Sequence, residues 1–459
     1  MKLKHIIRFL CTIFSAIALV SCNDDSTYTV IAPSADAQIY SFTINSIPRT
    51  AIDTATYPAL SKTLFSIDQF RSYIYNADSL PYQTSLRKLY VNIGLTSNTP
   101  SKIELIYPDS VVSWNATDSV DFSKDHPRFR VTAENGSTSK EYTIDIRIHQ
   151  IDPDTLIWHP MTAQPSTVGR QKTLLKDDKF HTFSIEGGNT LSLYTADKSS
   201  TLSWSGKQPT SGINASRLLL NSITLFAGKF YAADLDMKTY TSEDGISWTA
   251  AISGVYNIMG ILPGETETDD VLLVIKEDAG KYYYATTKDM QTLTVVEKIT
   301  TSPNSNEVDK RFPAFNFSSV TNYNRSGGNT NLLAITGGRN MLGNMSNLTW
   351  SVRQGDNGLE VISIQNNPTF AANPGIASFL YDGYLFAMTQ STFYKSDSWG
   401  YKWIVAPTKE SVIEDMPKAS GQSIIVDDEN NIWVFGGVLD LNGSNVHQVW
   451  KGRINRLNP

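Results

Sequence analysis

Eight arginines are spread through the C-terminal two-thirds of the chain: Arg170, Arg217, Arg311, Arg325, Arg339, Arg353, Arg453 and Arg456. Three guanidinium groups converging on one carboxylate, beside a tyrosine activated by a glutamate and an acid aspartate, would cleave an acidic glycoside. Other catalytic patterns are absent from the sequence: there is no G-x-S-x-G elbow, no H-E-x-x-H and no P-loop. His126, His149, His159, His181 and His447 are scattered, without the spacing of a zinc site. Asp427-Asp428-Glu429-Asn430-Asn431 has the oxygen donors of a calcium loop. Asp382-Gly383 and Asp177-Asp178 fall at equivalent places, however, so a hairpin turn explains it more simply and neither metal nor cofactor is expected. For binding, Tyr282-Tyr283-Tyr284, Tyr381, Tyr384, Tyr394, Trp399 and Tyr401 offer flat apolar area. Trp399 is the weak candidate among them because it stands inside a turn rather than on a strand.

The elements that would position these groups are timed by tryptophan. Trp158, Trp204, Trp248, Leu293 in place of a tryptophan, Trp350, Trp403 and Trp450 follow at intervals of 46, 44, 45, 57, 53 and 47 residues. A period in the forties marks a β-propeller, whose four-stranded repeats cannot bury their faces without neighbours. Strand patterns of period two predict six blades over 151–459. The fourth blade reads as AFNFSSV, LLAITGG, a third strand near Met341 to Met345, and NLTWSV; the second opens on LLLNSITLF. The sixth blade, QSIIVD, NIWVFGG and VWKGRINRL, stops one strand short. Leu156-Ile157-Trp158-His159-Pro160 has no blade of its own and is expected to complete it, pairing the two ends of the domain.

Before the propeller, alternation in AQIYSFTINSI, LRKLYVNIGL, ELIYPDSVVSWN, RFRVTAEN and EYTIDIRIHQ predicts hairpin strands of a sandwich over 37–150. The fold class is therefore all-β, an N-terminal sandwich followed by a six-bladed propeller with terminal strand closure. Residues 150–154 carry Asp-Pro and no apolar period, as a domain joint should.

At the N-terminus, Lys2, Lys4 and Arg8 precede twelve mostly apolar residues, Phe9 to Val20. Twelve helical residues rise about 18 Å, short of the roughly 30 Å hydrocarbon core, so 1–21 reads as a signal peptide. Leu19-Val20-Ser21-Cys22 resembles the lipobox of bacterial lipoproteins, which implies acylation of Cys22 and an acylated tether over 22–36. Cys11 and Cys22 are the only cysteines, so cleavage before Cys22 leaves no internal disulfide. Asn23-Asp24-Asp25 is similar to the acidic signal that sends lipoproteins of Bacteroidetes to the outer face of the outer membrane. A membrane partner through the lipid is thus expected. Nucleic acid is not, given a net charge of -6 and no basic run.

Three further resemblances refine the domains. Phe129 to Ala133, Glu134-Asn135-Gly136-Ser137 and Lys140 to Ile144 resemble the closing phrase of cadherin-like and immunoglobulin-like modules. Ser242 to Trp248 and Ser396 to Trp403 look like the Asp-box of sialidase-type propellers, while Gly337-Gly338 and Gly436-Gly437 are similar to kelch repeats. In those families the residues are structural. The sialidase resemblance implies an arginine in an R-I-P phrase in the first blade, but Arg311-Phe312-Pro313 opens the fourth. Asp-Ser and Asp-Thr pairs ahead of the propeller, among them Asp78-Ser79, Asp109-Ser110, Asp118-Ser119 and Asp154-Thr155, resemble an O-glycosylation motif. The whole resembles a family of uncharacterised Bacteroidetes surface lipoproteins joining a cadherin-like domain to a kelch-like or Asp-box-like propeller. That resemblance brings no assigned activity; with the catalytic patterns absent, a non-catalytic cell-surface module binding a glycan or protein on the propeller face is expected, and the alternative is a glycan-processing enzyme, either a glycoside hydrolase or sialidase-like.

Overall fold

The computed structural model describes residues 32–44, 60, 62–96, 100, 102–123, 126–302, 304–325, 330–364, 370–373, 375–390, 392–439 and 443–455. Cys22 and the leader lie outside the described residues, as does Arg456. No helix among the described residues is long and apolar enough to cross a membrane. The chain divides into two compact units between Asp152 and Pro153.

In the N-terminal unit, Ile39–Ile44 pairs with Val91–Leu95, and a second sheet has six strands. The two sheets share one core, in which Phe42 meets Phe65 at 4.9 Å and Trp114 meets Phe129 at 5.0 Å, edge to face. Buried Tyr142 ties them further: its hydroxyl accepts from the Ile39 amide at 3.2 Å and donates to Gln69 Oε1 at 2.6 Å. The hairpin Phe65–Asp68 with Tyr73–Asn76 was hidden from pattern reading because its turn contains no glycine. Asp68 Oδ1 caps the amides of Phe70 and Arg71 instead, and Ser72 takes the left-handed φ of 52°. Tyr73–Asn76 then pairs in parallel with Ser139–Asp145, which an all-hairpin reading did not foresee.

Among its described residues the C-terminal unit contains six four-stranded antiparallel sheets and two two-stranded ladders. The first five span residues 170–209, 224–253, 255–295, 318–364 and 377–405; the sixth joins Ser423–Val426, Ile432–Phe435 and Val449–Asn455 to Thr155–Met161. Second strands contain unbroken apolar runs, such as 230–233, 271–275 and Ile432–Phe435, because both of their faces are covered. Successive residues feed opposite cores. Phe230 and Ala232 pack toward the first sheet, and Tyr231 and Ala233 toward the third. Leu273 and Ile275 meet Leu333 and Ile335 of the fourth; Leu332 and Ala334 meet Leu385 and Ala387 of the fifth. Phe386 and Met388 meet Ile432 and Val434 of the sixth, while Trp433 and Phe435 meet Phe180 and Ala196 of the first. Six cores are thus shared in cyclic order by six sheets.

Polar side chains on first strands bond to neighbouring sheets and to the side ladder. Gln171 Nε2 donates to the Phe435 carbonyl at 2.8 Å, and Ser423 Oγ accepts from the Thr173 amide at 2.9 Å. Ser318 Oγ accepts from the Ser378 amide at 2.8 Å, and Asn257 Nδ2 donates to the Ala314 carbonyl at 2.6 Å.

Two strand assignments need correction. In the fourth sheet the segment holding Trp350, Thr349–Gly355, is the third strand, and Gly358–Ile364 is the fourth. The stretch from Met341 to Met345 is a turn beside a side ladder of Pro313–Phe315 with Arg339–Asn340. The tryptophans consequently occupy different positions: Trp248 and Trp403 immediately precede a fourth strand, Trp158 lies on one, and Trp350 and Trp450 sit on third strands. The longest interval, from Leu293 to Trp350, spans the connection 296–317 that carries Pro313–Phe315. In the second sheet only Thr224–Phe226 of LLLNSITLF is a strand, and Leu220–Ser222 is a 3-10 turn. Ser222 Oγ accepts from the Ala233 amide at 2.8 Å and donates to the Leu219 carbonyl at 2.6 Å, replacing ladder bonds there.

Candidate functional site: a cationic cleft beside the terminal strands

The arginines proposed for glycoside cleavage are largely committed to neighbours. Arg217 pairs with Asp236 at 2.9 Å, Arg311 with Asp309 at 2.6 Å, Arg325 with Asp270 at 2.8 Å, and Arg353 with Glu360. Arg339 donates to the Gly343 carbonyl at 3.1 Å. These pairs raise the pKa of Arg311 and Arg325 above the usual value, chiefly through the hydrogen bonds of Asp309 and Asp270.

Asp427 is a turn residue. Its Oδ1 accepts from the amides of Glu429 at 3.0 Å and Asn431 at 2.8 Å, and its Oδ2 from Trp433 Nε1 at 2.8 Å. Asp234 repeats the device in the second sheet, taking the amides of Asp236 and Lys238, both at 2.9 Å, and the Tyr240 hydroxyl at 2.8 Å. No group of three or more metal-ligating side chains occurs among the described residues.

The two Asp-box-like segments form turns between third and fourth strands. Asp244 Oδ1 accepts from the amides of Ile246 and Ser247 at 2.8 and 2.9 Å. Partial burial pushes its carboxyl upward, but those amides and the Ser242 hydroxyl outweigh it, and the pKa falls below the usual value. A third copy escaped pattern reading. Asp289 Oδ1 accepts from the Gln291 amide at 2.8 Å, and Thr287 Oγ1 from the Met290 amide at 2.9 Å, but Met290 at φ 56° stands where Gly245 stands. The signal was the Thr287-x-Asp289 spacing. Trp399 takes a left-handed φ of 55° and lies half-buried against the core of Phe370 and Trp403. Its packing is the structural role that its place in a turn had concealed. Of the Asp-Ser and Asp-Thr pairs, Ser110 and Ser119 are exposed, whereas the Thr155 hydroxyl is buried.

A cleft that pattern reading did not find has a volume of about 800 Å³, within the range of small-ligand sites. It lies against the terminal pair of strands in the sixth sheet and reaches Ser200 of the first. Its origin is geometric. In Val449–Asn455, alternate residues Trp450 and Ile454 point to the core shared with the fifth sheet, so Lys451, Arg453 and Asn455 point the other way. In Thr155–Met161, Ile157, His159 and Met161 share that face opposite them: His159 pairs with Lys451, and Ile157 with Arg453. Trp204 of the first sheet packs with Met161 at one end of this face and donates from Nε1 to the Thr162 carbonyl at 3.3 Å.

Charge in the cleft is one-sided. Lys451 and Arg453 make no ion pair or side-chain hydrogen bond among the described residues; the Lys451 ammonium lies 5.0 Å from the Trp433 ring centroid. Asp154, whose amide donates to the Asn455 carbonyl at 2.9 Å, is not in the cleft lining, and three carboxylates next to the lining residues Asn430 and Asn431 are engaged. Asp427 is bound by its turn, Asp428 pairs with Lys198, and Glu429 accepts from Asn431 at 3.2 Å. Lys198 also pairs with Asp178 at 2.9 Å, so this triad clamps the sixth sheet to the first, and both carboxylates push the ammonium pKa up.

Alkali should act on two buried phenols of this unit. Tyr194 donates to Glu186 at 2.6 Å and Tyr240 to Asp234 at 2.8 Å; burial, then the carboxylate neighbour, push each pKa up to about 12. Tyrosines of the unfolded chain ionise near pH ~10. The folded state therefore holds these protons more tightly, and the stabilisation is complete below about pH 10 and lost as pH rises to about 12. Urea midpoints across that window are expected to fall, and to fall less steeply in a Tyr194→Phe/Tyr240→Phe variant. Equal slopes would refute the assignment.

The sheets and their shared cores define an all-β protein with a propeller domain. Residues 152–458 match the DUF6242 beta propeller domain, and residues 38–146 match the domain of unknown function (DUF6242) N-terminal domain. The chain belongs to the DUF6242 family. No curated protein matches it. Among solved structures it is similar to YjhT, at 9% identity and a TM-score of 0.41 over 63% of this chain and 95% of that one. It is also similar to a triple-arginine mutant of AofleA from Arthrobotrys oligospora, at 10% identity and a TM-score of 0.36 over 66% and 94%.

Proposed function

We propose that this protein is a lipid-anchored cell-surface module whose propeller binds a glycan or protein without transforming it. Cys22, following Leu19-Val20-Ser21, is the acylation site, and the tether leads to a cadherin-like or immunoglobulin-like sandwich that serves as a stalk. The six sheets are blades of a closed six-bladed ring with kelch-like and Asp-box-like turns. The cyclic order of shared cores and the pairing of Thr155–Met161 with Val449–Asn455 support this reading.

The observation that carries the binding role is the seam cleft: a concave site with two cations that have no carboxylate partner among the described residues, neutral polar neighbours, and no carboxylate in its lining. The commitment of Arg217, Arg311, Arg325 and Arg353 to carboxylates favours binding over acidic-glycoside cleavage. A glycan array with the purified ectodomain, followed by product analysis on each hit, tests the proposal. Retention of intact glycan is expected; released sugar would establish the enzymatic alternative.

A further inference from the structure

We infer that the seam cleft recognises an acidic saccharide, with Lys451 and Arg453 receiving its anionic groups. The inference rests on the binding-module reading above and specifies its ligand class and site. Lys451 and Arg453 are two residues apart on one strand, so their Cα atoms are separated by about 7 Å. That separation exceeds the span of one carboxylate and suits anionic groups on a chain of sugar units. Between and beside the cations stand neutral donors and acceptors, Ser200, Asn430 and Asn455, of the kind that pair with hydroxyls. Ile157, Pro160 and Met161 add apolar lining that can meet the C–H face of a pyranose.

A peptide partner fits less well. Strand Thr155–Met161 is the outer edge of its sheet and the natural place for a peptide to add, but Pro160 lacks the amide that such pairing needs. With main-chain addition interrupted there, recognition falls to side chains, and those present are suited to charge and hydroxyl groups.

The test uses the full-length protein in detergent and calorimetric titration with oligogalacturonate, chondroitin sulfate oligosaccharides, neutral dextran oligosaccharides and poly-glutamate. Oligogalacturonate or chondroitin sulfate is expected to bind, more weakly as salt rises, and dextran is not. Binding of both acidic probes, or of only one, tells carboxylate recognition from sulfate recognition; either result supports the inference. A Lys451→Ala/Arg453→Ala variant should lose at least about tenfold in affinity while keeping its thermal midpoint. Arg453→Gln, at an exposed position, supplies the same comparison if the double variant fails to fold.

Wild-type affinity in the folded variants would overturn the site. Equal binding of dextran, or of poly-glutamate, would overturn the ligand class. If none of these probes binds while an array finds a neutral glycan, the inference fails and the binding-module reading stands. New reducing ends released from a bound probe would sink the non-catalytic reading and leave the site intact.

Discussion

Trp158→Ala is expected to destabilise the C-terminal unit by about 3–5 kcal/mol, measured by urea denaturation. Trp158 is 7% exposed, lies over Gly452 of the neighbouring strand and packs against Phe393 at a centroid distance of 6.1 Å. Its Nε1 donates to the Ser411 carbonyl at 3.0 Å, so truncation also orphans an acceptor in the fifth-sheet region. Gly452 belongs to the same contact, because a Cβ there would meet the indole at 2.6 Å. Deleting Thr155–Met161 should go further. It removes seven cross-strand partners of Val449–Asn455 and the Leu156 and Trp158 side chains from the core between the fifth and sixth sheets. Loss of a single cooperative thermal transition is the expected result; a deletion mutant melting like the wild type would show that the terminal strand is dispensable.

Asp427→Ala is expected to cost about 2–4 kcal/mol, the second-largest effect foreseen for a single side chain. Asp427 is 6% exposed and accepts from two backbone amides, from Asn431 Nδ2 and from Trp433 Nε1. Alanine would leave buried Trp433 with an unpaired donor between the sixth and first sheets. Asp427→Asn keeps one oxygen and should lose distinctly less. Adding a chelator should leave the unfolding midpoint of the wild type unchanged; a chelator-induced drop would revive the calcium reading of this loop.

Much of the architecture was legible because strands buried on two faces must be apolar at every position and strands buried on one face must alternate. Residues 230–233 and Ile432–Phe435 announced themselves in this way. The unfilled fourth strand of the last repeat was legible too, as a count of strands against a count of tryptophans. Where side chains substitute for backbone pairing, patterns misled. Ser222 turned an apolar run into a 3-10 turn, Asp68 closed a hairpin without glycine, and Met290 disguised a third Asp-box-like turn.

The candidate site was scarcely legible. Lys451, Arg453 and His159 are unremarkable surface residues in sequence, nearly three hundred positions separate the two strands, and nothing local says that they share a face. Trp399 drew notice instead, although its left-handed turn folds it against the core. Taken alone, the order of residues determined that the chain is all-β, that its long C-terminal part is repetitive, and which segments pair locally, since these follow from periodicity and turn chemistry. Only the tertiary structure decided where a cleft opens and which cations stay unpaired. Both depend on which side chains the pairing of Thr155–Met161 with Val449–Asn455 brings to one face and on which carboxylates are already taken, which are facts about distance in space that spacing along the chain does not encode.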